Sequence, residues 1–181
     1  MRNPLSSTIT QIKPSGIRKF FDIVSELNDP EAISLGVGEP DFETPWHIRD
    51  EGIYSLEKGR TFYTSNAGLT ELREEISKFL KRRYDLSYDA KKEMLVTVGG
   101  SEAIDIALRA MVDPGDEVLI PQPSYVSYEP CAVLAGAKPV IIELKHENQF
   151  RLTAQELEDA ITDKTKILIL PFPNNPTGAI M

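Results

Sequence analysis

Cysteine, histidine and tryptophan are scarce in this sequence of 181 residues: one cysteine, two histidines and one tryptophan. A lone thiol, Cys131, rules out an internal disulfide framework and a cysteine metal cluster. His47 and His146 lie far apart in the chain, which argues against a histidine-based metal site. No apolar run approaches the roughly 20 residues that span a bilayer. The start, Met1-Arg2-Asn3-Pro4, lacks the apolar core of a secretory signal. The expectation is a soluble cytoplasmic protein with no membrane partner. Positive charge is also in deficit, with 20 Lys and Arg against 28 Asp and Glu, a net charge of −8 and a pI of about 4.9. That balance argues against nucleic acid, which rewards positive patches. It leaves a local anion site open, because backbone N–H groups hold a phosphate whatever the global charge.

What is present is ordinary globular material, 41% hydrophobic and 27% charged, enough for one domain or one and a fraction. Residues 1–16 read as an extended arm. Ile17, Phe20, Phe21, Val24 and Leu27 recur at helical spacing. Ala32–Val37 reads as a short strand, broken by Gly38 and Pro40. Pro45–Lys58 reads as a helix with Thr44 as N-cap and Pro45 at the first helical position. Another helix is expected from Thr70 to Tyr84.

From Met94 onward short apolar strands alternate with helices. Strands are expected over Met94–Val98, Glu117–Ile120, Pro139–Leu144 and Ile167–Leu170, and helices over Ser101–Val112, Ser127–Ala135 and from Thr153, capped by Glu156, to Ile161. This is the pattern of a mostly parallel sheet with helices on both faces. The first 45 residues do not fit it. The expected division is therefore 1–45, an arm and part of a smaller domain, and 46–181, the first part of a larger one.

Three strand ends carry polar or aromatic residues that suit a ligand. Gly99-Gly100-Ser101-Glu102 opens a helix, where unpaired N–H groups and the helix dipole favour an anion. The same residues also suit a simple tight connection. They are not a nucleotide P-loop, which needs a Lys-Ser/Thr pair where this chain has Glu102-Ala103. Tyr125 follows the strand ending at Ile120, where a flat ring can stack on another or serve ordinary packing. Asn174-Asn175-Pro176-Thr177-Gly178 follows the last strand, as a ligand-facing turn or a plain Asn-Pro turn.

In order along the chain stand Ser34-Leu35-Gly36-Val37-Gly38-Glu39-Pro40-Asp41-Phe42, Tyr63 with Gly68-Leu69 and Glu71-Leu72-Arg73, Val98-Gly99-Gly100-Ser101-Glu102-Ala103, Asp113-Pro114-Gly115-Asp116-Glu117-Val118, and Asn174-Asn175-Pro176-Thr177-Gly178. Together they resemble the amino-terminal part of class I/II pyridoxal-phosphate-dependent aminotransferases, especially the aspartate/aromatic subgroup, from about Ile17 to Gly178. The resemblance implies an incomplete α/β fold of the type I pyridoxal-phosphate class and a cofactor, pyridoxal 5'-phosphate. It places Gly100, Ser101 and Glu102 at the cofactor phosphate, Tyr125 on its ring, and Asn175, rather than Asn174, on its phenolic oxygen. It gives Gly38 to the substrate carboxylate. Tyr63 goes to the phosphate of a neighbouring subunit, which implies a homodimer with shared sites. Arg73 reads as an ion pair at a helix start in preference to an anion clamp.

The resemblance also implies residues this sequence lacks in matching motifs: the Schiff-base lysine, the carboxylate facing the pyridine nitrogen and the substrate arginine, all expected downstream of Met181. Lys58, Lys78, Lys91, Lys92, Lys138 and Lys145 match no such motif. The expectation is a fragment, inactive alone, of an enzyme that moves an amino group from an amino acid to a 2-oxo acid. Alternatives on the same scaffold are a carbon–sulfur lyase, a decarboxylase, or a non-catalytic aminotransferase-like domain.

Overall fold

A computed structural model describes residues 3–14, 16–27, 29, 31, 33 and 38–181. They form two compact units, one of residues 15–97 and one of residues 1–14 with 98–181. We refer to them as the helical unit and the sheet unit.

In the helical unit, α1 (Gly16–Leu27), α2 (Trp46–Glu57) and α3 (Thr70–Tyr84) carry the expected helices. One helix start differs from expectation. Pro45 itself is the N-cap of α2, with no side-chain cap from Thr44, because the fixed φ of Pro45 already sets the chain's entry. α3 begins at Thr70 as expected, with Leu69 as its N-cap, and the Thr70 hydroxyl accepts from Arg73 Nη2 at 3.3 Å. Arg73 is buried and, among the described residues, makes no ion pair: its Nη1 donates to the carbonyl oxygens of Ala90 (2.8 Å) and Lys91 (3.4 Å). It pins the 90–91 turn to the helix. Of the strand expected over Ala32–Val37 only Ile33 is among the described residues.

The strand expected over Met94–Val98 does not form. A strand needs a neighbour to complete its ladder, and here the Val96 N–H donates to Ala67 O at 3.1 Å, in a loop contact beside Gly68.

The sheet unit is built on three parallel strands, β1 (Glu117–Gln122), β2 (Lys138–Glu143) and β3 (Thr165–Leu168), in the order β2-β1-β3. β1 is the centre. Val118, Leu119 and Ile120 are wholly buried, each contributing about 1.5–3 kcal/mol of apolar burial. Val118 and Ile120 face one layer, formed with Leu108 and Val112 of and after α4 (Gly100–Met111) and Cys131 and Ala132 of α5 (Tyr128–Ala135). Leu119 faces the other, with Ile142, Leu144, Leu152 and, from α6 (Ala154–Ala160), Leu157 and Ala160. Helices cover both faces, as the sequence pattern requires.

The expected arm contains a short 3-10 turn, Ile9–Gln11. Thr8 and Gln11 line a cleft with Gly115, Gly136 and Lys138 at the amino ends of β1 and β2. At that same edge Glu117 is buried, accepting from Lys138 Nζ at 2.9 Å and Thr162 Oγ1 at 2.7 Å. No helix among the described residues is long and apolar enough to cross a membrane.

Candidate functional site

The path of the chain through the sheet creates one special edge. From β1 the chain passes through α5 to β2 on one side of β1, then returns through α6 to β3 on the other side. The connections leaving β1 and β3 therefore diverge, and the crevice outside their carboxyl ends is where open α/β sheets bind ligands. Pro123, Ser124 and Tyr125 leave β1 there, and the 171–178 segment follows β3.

The two loops are joined. Asn174 Nδ2 donates to the Pro123 carbonyl at 2.8 Å. Asn174 also anchors its own turn, its N–H donating to Ala179 O at 2.9 Å and its carbonyl accepting from Gly178 N–H at 2.8 Å. It is 5% exposed, whereas Asn175 is exposed. Gly178, at φ +70°, takes the left-handed conformation this turn needs.

The start of α4 meets the same edge. Ser101 Oγ lies 3.1 Å from Tyr125 Oη. Hydrogen bonding to Ser101, and secondarily to Ser127, lowers the Tyr125 phenol below its ordinary pKa against a smaller opposing effect of burial. The Tyr125 ring meets Tyr128 edge to face, centroids 5.6 Å apart. Gly99 enters α4 at φ +82° and, as a glycine N-cap, brings no side chain to the first-turn N–H groups. A Cβ built on Gly100 would meet nothing within 4 Å. The Glu102 carboxylate turns back to accept from the Val98 N–H, so what Glu102 can offer an anion is its backbone N–H.

These residues fit a group with an anionic end and a flat ring. The helix start and the Ser101 hydroxyl suit the anion, with open space above Gly100 to admit it. Tyr125 suits the ring, and the exposed Asn175 amide suits a polar ring substituent. Ser124 Oγ and Asn174 Oδ1 are buried at this edge without hydrogen-bond partners among the described residues, where most buried polar atoms would be satisfied.

Of the residues singled out from sequence, Ser101 and Tyr125 are in direct contact, and Gly100 and Glu102 flank Ser101 on α4. Asn175 adjoins the Asn174 contact. Gly38 and Tyr63 belong to the helical unit, and both are exposed, Tyr63 fully so. Asn174 and Ser124 were not expected as site residues.

Comparison with known proteins gives a consistent picture. The family model for aminotransferase class I and II matches residues 30–181. The Bacillus subtilis protein YugH, an aminotransferase by name, is 52% identical over 180 residues, covering 99% of this chain and 46% of its own length. An aspartate aminotransferase of Pyrococcus abyssi is 46% identical over 177 residues, covering 98% of this chain and 45% of its own. Among solved structures, the Thermus thermophilus aspartate aminotransferase with maleate superposes with a TM-score of 0.90 at 37% identity, covering 99% of this chain and 47% of that one. The chain spans a little under half the length of the curated relatives it matches.

Proposed function

Because this chain belongs to the aminotransferase class I and II family, we propose that it forms the amino-terminal part of a pyridoxal-phosphate-dependent enzyme that moves an amino group from an amino acid to a 2-oxo acid. The observation that carries the reading is the 3.1 Å contact between Ser101 Oγ and Tyr125 Oη. It brings a helix start suited to a phosphate and an aromatic ring suited to a pyridine to one point on the sheet edge.

In this reading the N–H groups at the start of α4 and the Ser101 hydroxyl hold the phosphate. The Tyr125 ring covers one face of the bound ring and keeps water from it. The Asn175 amide donates to the phenolic oxygen and holds it in its charged form. Gly38, without a Cβ, lets its backbone approach the substrate carboxylate, and Tyr63 reaches the phosphate of a neighbouring subunit in a homodimer. Bound there, pyridoxal 5'-phosphate supplies an electron-withdrawing ring that stabilises negative charge at the substrate Cα. The lysine, the pyridine-facing carboxylate and the substrate arginine are assigned to the part of the protein beyond these residues. Residues 1–45 are assigned to the arm and a smaller domain, 46–181 to a larger one, and the cytoplasm is the proposed compartment.

The test is cofactor affinity in the full-length protein. Gly100→Val puts a branched side chain where the phosphate would sit and is expected to weaken pyridoxal-phosphate binding at least about tenfold, the effect of losing one or two hydrogen bonds to a charged group. Tyr128→Phe is expected to change it less than about twofold. Equal effects would remove the phosphate from α4.

A further inference from the structure

We infer that Asn174 is a positioning residue that fixes Asn175 relative to Tyr125, so that the two groups meet a bound ring at a set separation. The inference rests on the function proposed above and goes beyond it, since that function requires only Asn175 from this turn.

Asn174 is held at three points. Two are backbone bonds that close its own turn, to Ala179 and from Gly178. The third, Nδ2 to the Pro123 carbonyl, reaches across 51 residues to the loop after β1. Pro123 lies two residues before Tyr125, and Asn174 directly before Asn175. One buried amide therefore links the main chain bearing the ring to the main chain bearing the exposed amide. Nδ2 gives one of its two N–H groups to Pro123, Oδ1 can only accept, and at 5% exposure the amide is closed off from a ligand in the crevice. Asn174 is thus unsuited to stabilise an anionic oxygen itself. Its contribution passes through the residue after it. β1 and β3 are adjacent, with a register shift between Glu117 and Val118, and Ile169 N–H donates to Leu119 O at 3.0 Å. Beyond that bond, among the described residues, Asn174 provides a side-chain tie between the two loops.

The experiment uses the full-length protein reconstituted with pyridoxal 5'-phosphate and reads the midpoint of the visible-absorbance pH titration of the bound cofactor. Thermal unfolding of the cofactor-free protein is read in parallel. Asn175→Ala is expected to raise the midpoint by about 1–2 pH units, because a donor to the charged oxygen is lost. Asn174→Ala is expected to raise it by at least about half as much, with Asn175 still present. Asn174→Asp, which keeps the side-chain volume and loses the donor, is expected to do the same. Combining Asn174→Ala with Asn175→Ala should give the Asn175→Ala value and no more, the non-additivity of two residues acting through one contact.

A midpoint unchanged in either folded Asn174 variant, or a double variant whose shift is the sum of the two, overturns the inference while leaving the role of Asn175 in place. An Asn175→Ala protein with an unmoved midpoint overturns that role first, and the inference with it. If neither Asn174 variant folds, Asn174 is a structural residue and the inference is wrong.

Discussion

The hydroxyls of Ser101 and Tyr125 lie 3.1 Å apart across 24 residues of chain, joining the first turn of α4 to the loop that leaves β1. A tyrosine that only stacked on a ring would have no use for this contact. Tyr125→Phe keeps the ring and removes the hydroxyl, so it separates the two roles. Loss of one hydrogen bond at the anionic end is worth about 0.5–1.5 kcal/mol, or about 2–10-fold in affinity. Tyr125→Phe in the full-length protein is expected to weaken binding of pyridoxal 5'-phosphate by that factor and to leave binding of pyridoxal, which lacks the phosphate, nearly unchanged. Equal weakening of both ligands would assign the hydroxyl no part in holding the phosphate.

At the opposite edge, Glu117 accepts from Thr162 and Lys138, and these two hydrogen bonds, in that order, hold its carboxyl below the ordinary range against the cost of burial. A depressed folded-state pKa means that the stabilisation is complete above the unfolded value of about 4.3. It is lost as pH falls through the lower, folded value. Glu117→Gln is therefore expected to lower the melting temperature at pH 7, with a deficit that shrinks as the pH drops below about 4. A deficit that stays constant over that range would show that the charge of Glu117 contributes nothing.

In the helical unit, Gly68 sits at φ +95°, and a Cβ built on it would lie 2.7 Å from Val96 Cβ. Gly68→Ala meets both a backbone penalty of about 1–2 kcal/mol and an overpacking cost of about 1–3 kcal/mol. It is expected to destabilise the protein by at least about 2 kcal/mol in denaturant unfolding. Adding Val96→Ala removes the two Cγ contacts but keeps the Cβ at 2.7 Å, so it should recover only a small part of the loss. An unchanged midpoint, or complete recovery, would contradict the geometry.

Tyr63 is fully exposed, and its proposed place is the phosphate of a second subunit. Co-expressing Tyr63→Phe subunits with Gly100→Val subunits distinguishes the two arrangements. If Tyr63 serves the neighbour, each hybrid dimer holds one site free of both defects and one carrying both. Cofactor titration of the purified hybrid should then show one wild-type-affinity site per dimer. Two sites, one with the affinity of Tyr63→Phe and one with that of Gly100→Val, would place Tyr63 in its own subunit's site.

What the sequence revealed and what it hid divide along a physical line. Local devices were legible: the Thr153–Glu156 capping box is present with both reciprocal bonds, and the apolar run of β1 is buried on both faces. The Gly-Gly helix start and the aromatic after β1 were legible too, because each is a short pattern at a strand end. Contacts that depend on chain return were not. Arg73 reads as an ion-pairing residue until its partners are seen to be carbonyls 17 and 18 residues on. Glu117 reads as a polar strand start, since Lys138 and Thr162 lie 21 and 45 residues away. By local pattern alone Asn174 is indistinguishable from Asn175, and its own role shows only when the loop after β1 supplies the carbonyl it bonds. The run 94–98 has a strand's composition, but composition does not provide a neighbour to ladder with.

The central place of β1 has a consequence for how the protein is made. Chains leave the ribosome amino end first and fold largely in that order, whereas β1 is flanked by strands that both come later. Once residue 143 has emerged, β1 can pair with β2, but its other edge stays bare until residues 165–168 follow. During that interval Val118, Leu119 and Ile120 form an unprotected apolar edge, the kind of surface that recruits strands from other nascent chains. At about 5–20 residues per second the exposure lasts on the order of a few seconds. Synthesis rate through the α6 segment, and any holdase that covers an apolar strand during it, should therefore influence the yield of folded protein more than changes made after β3 is complete.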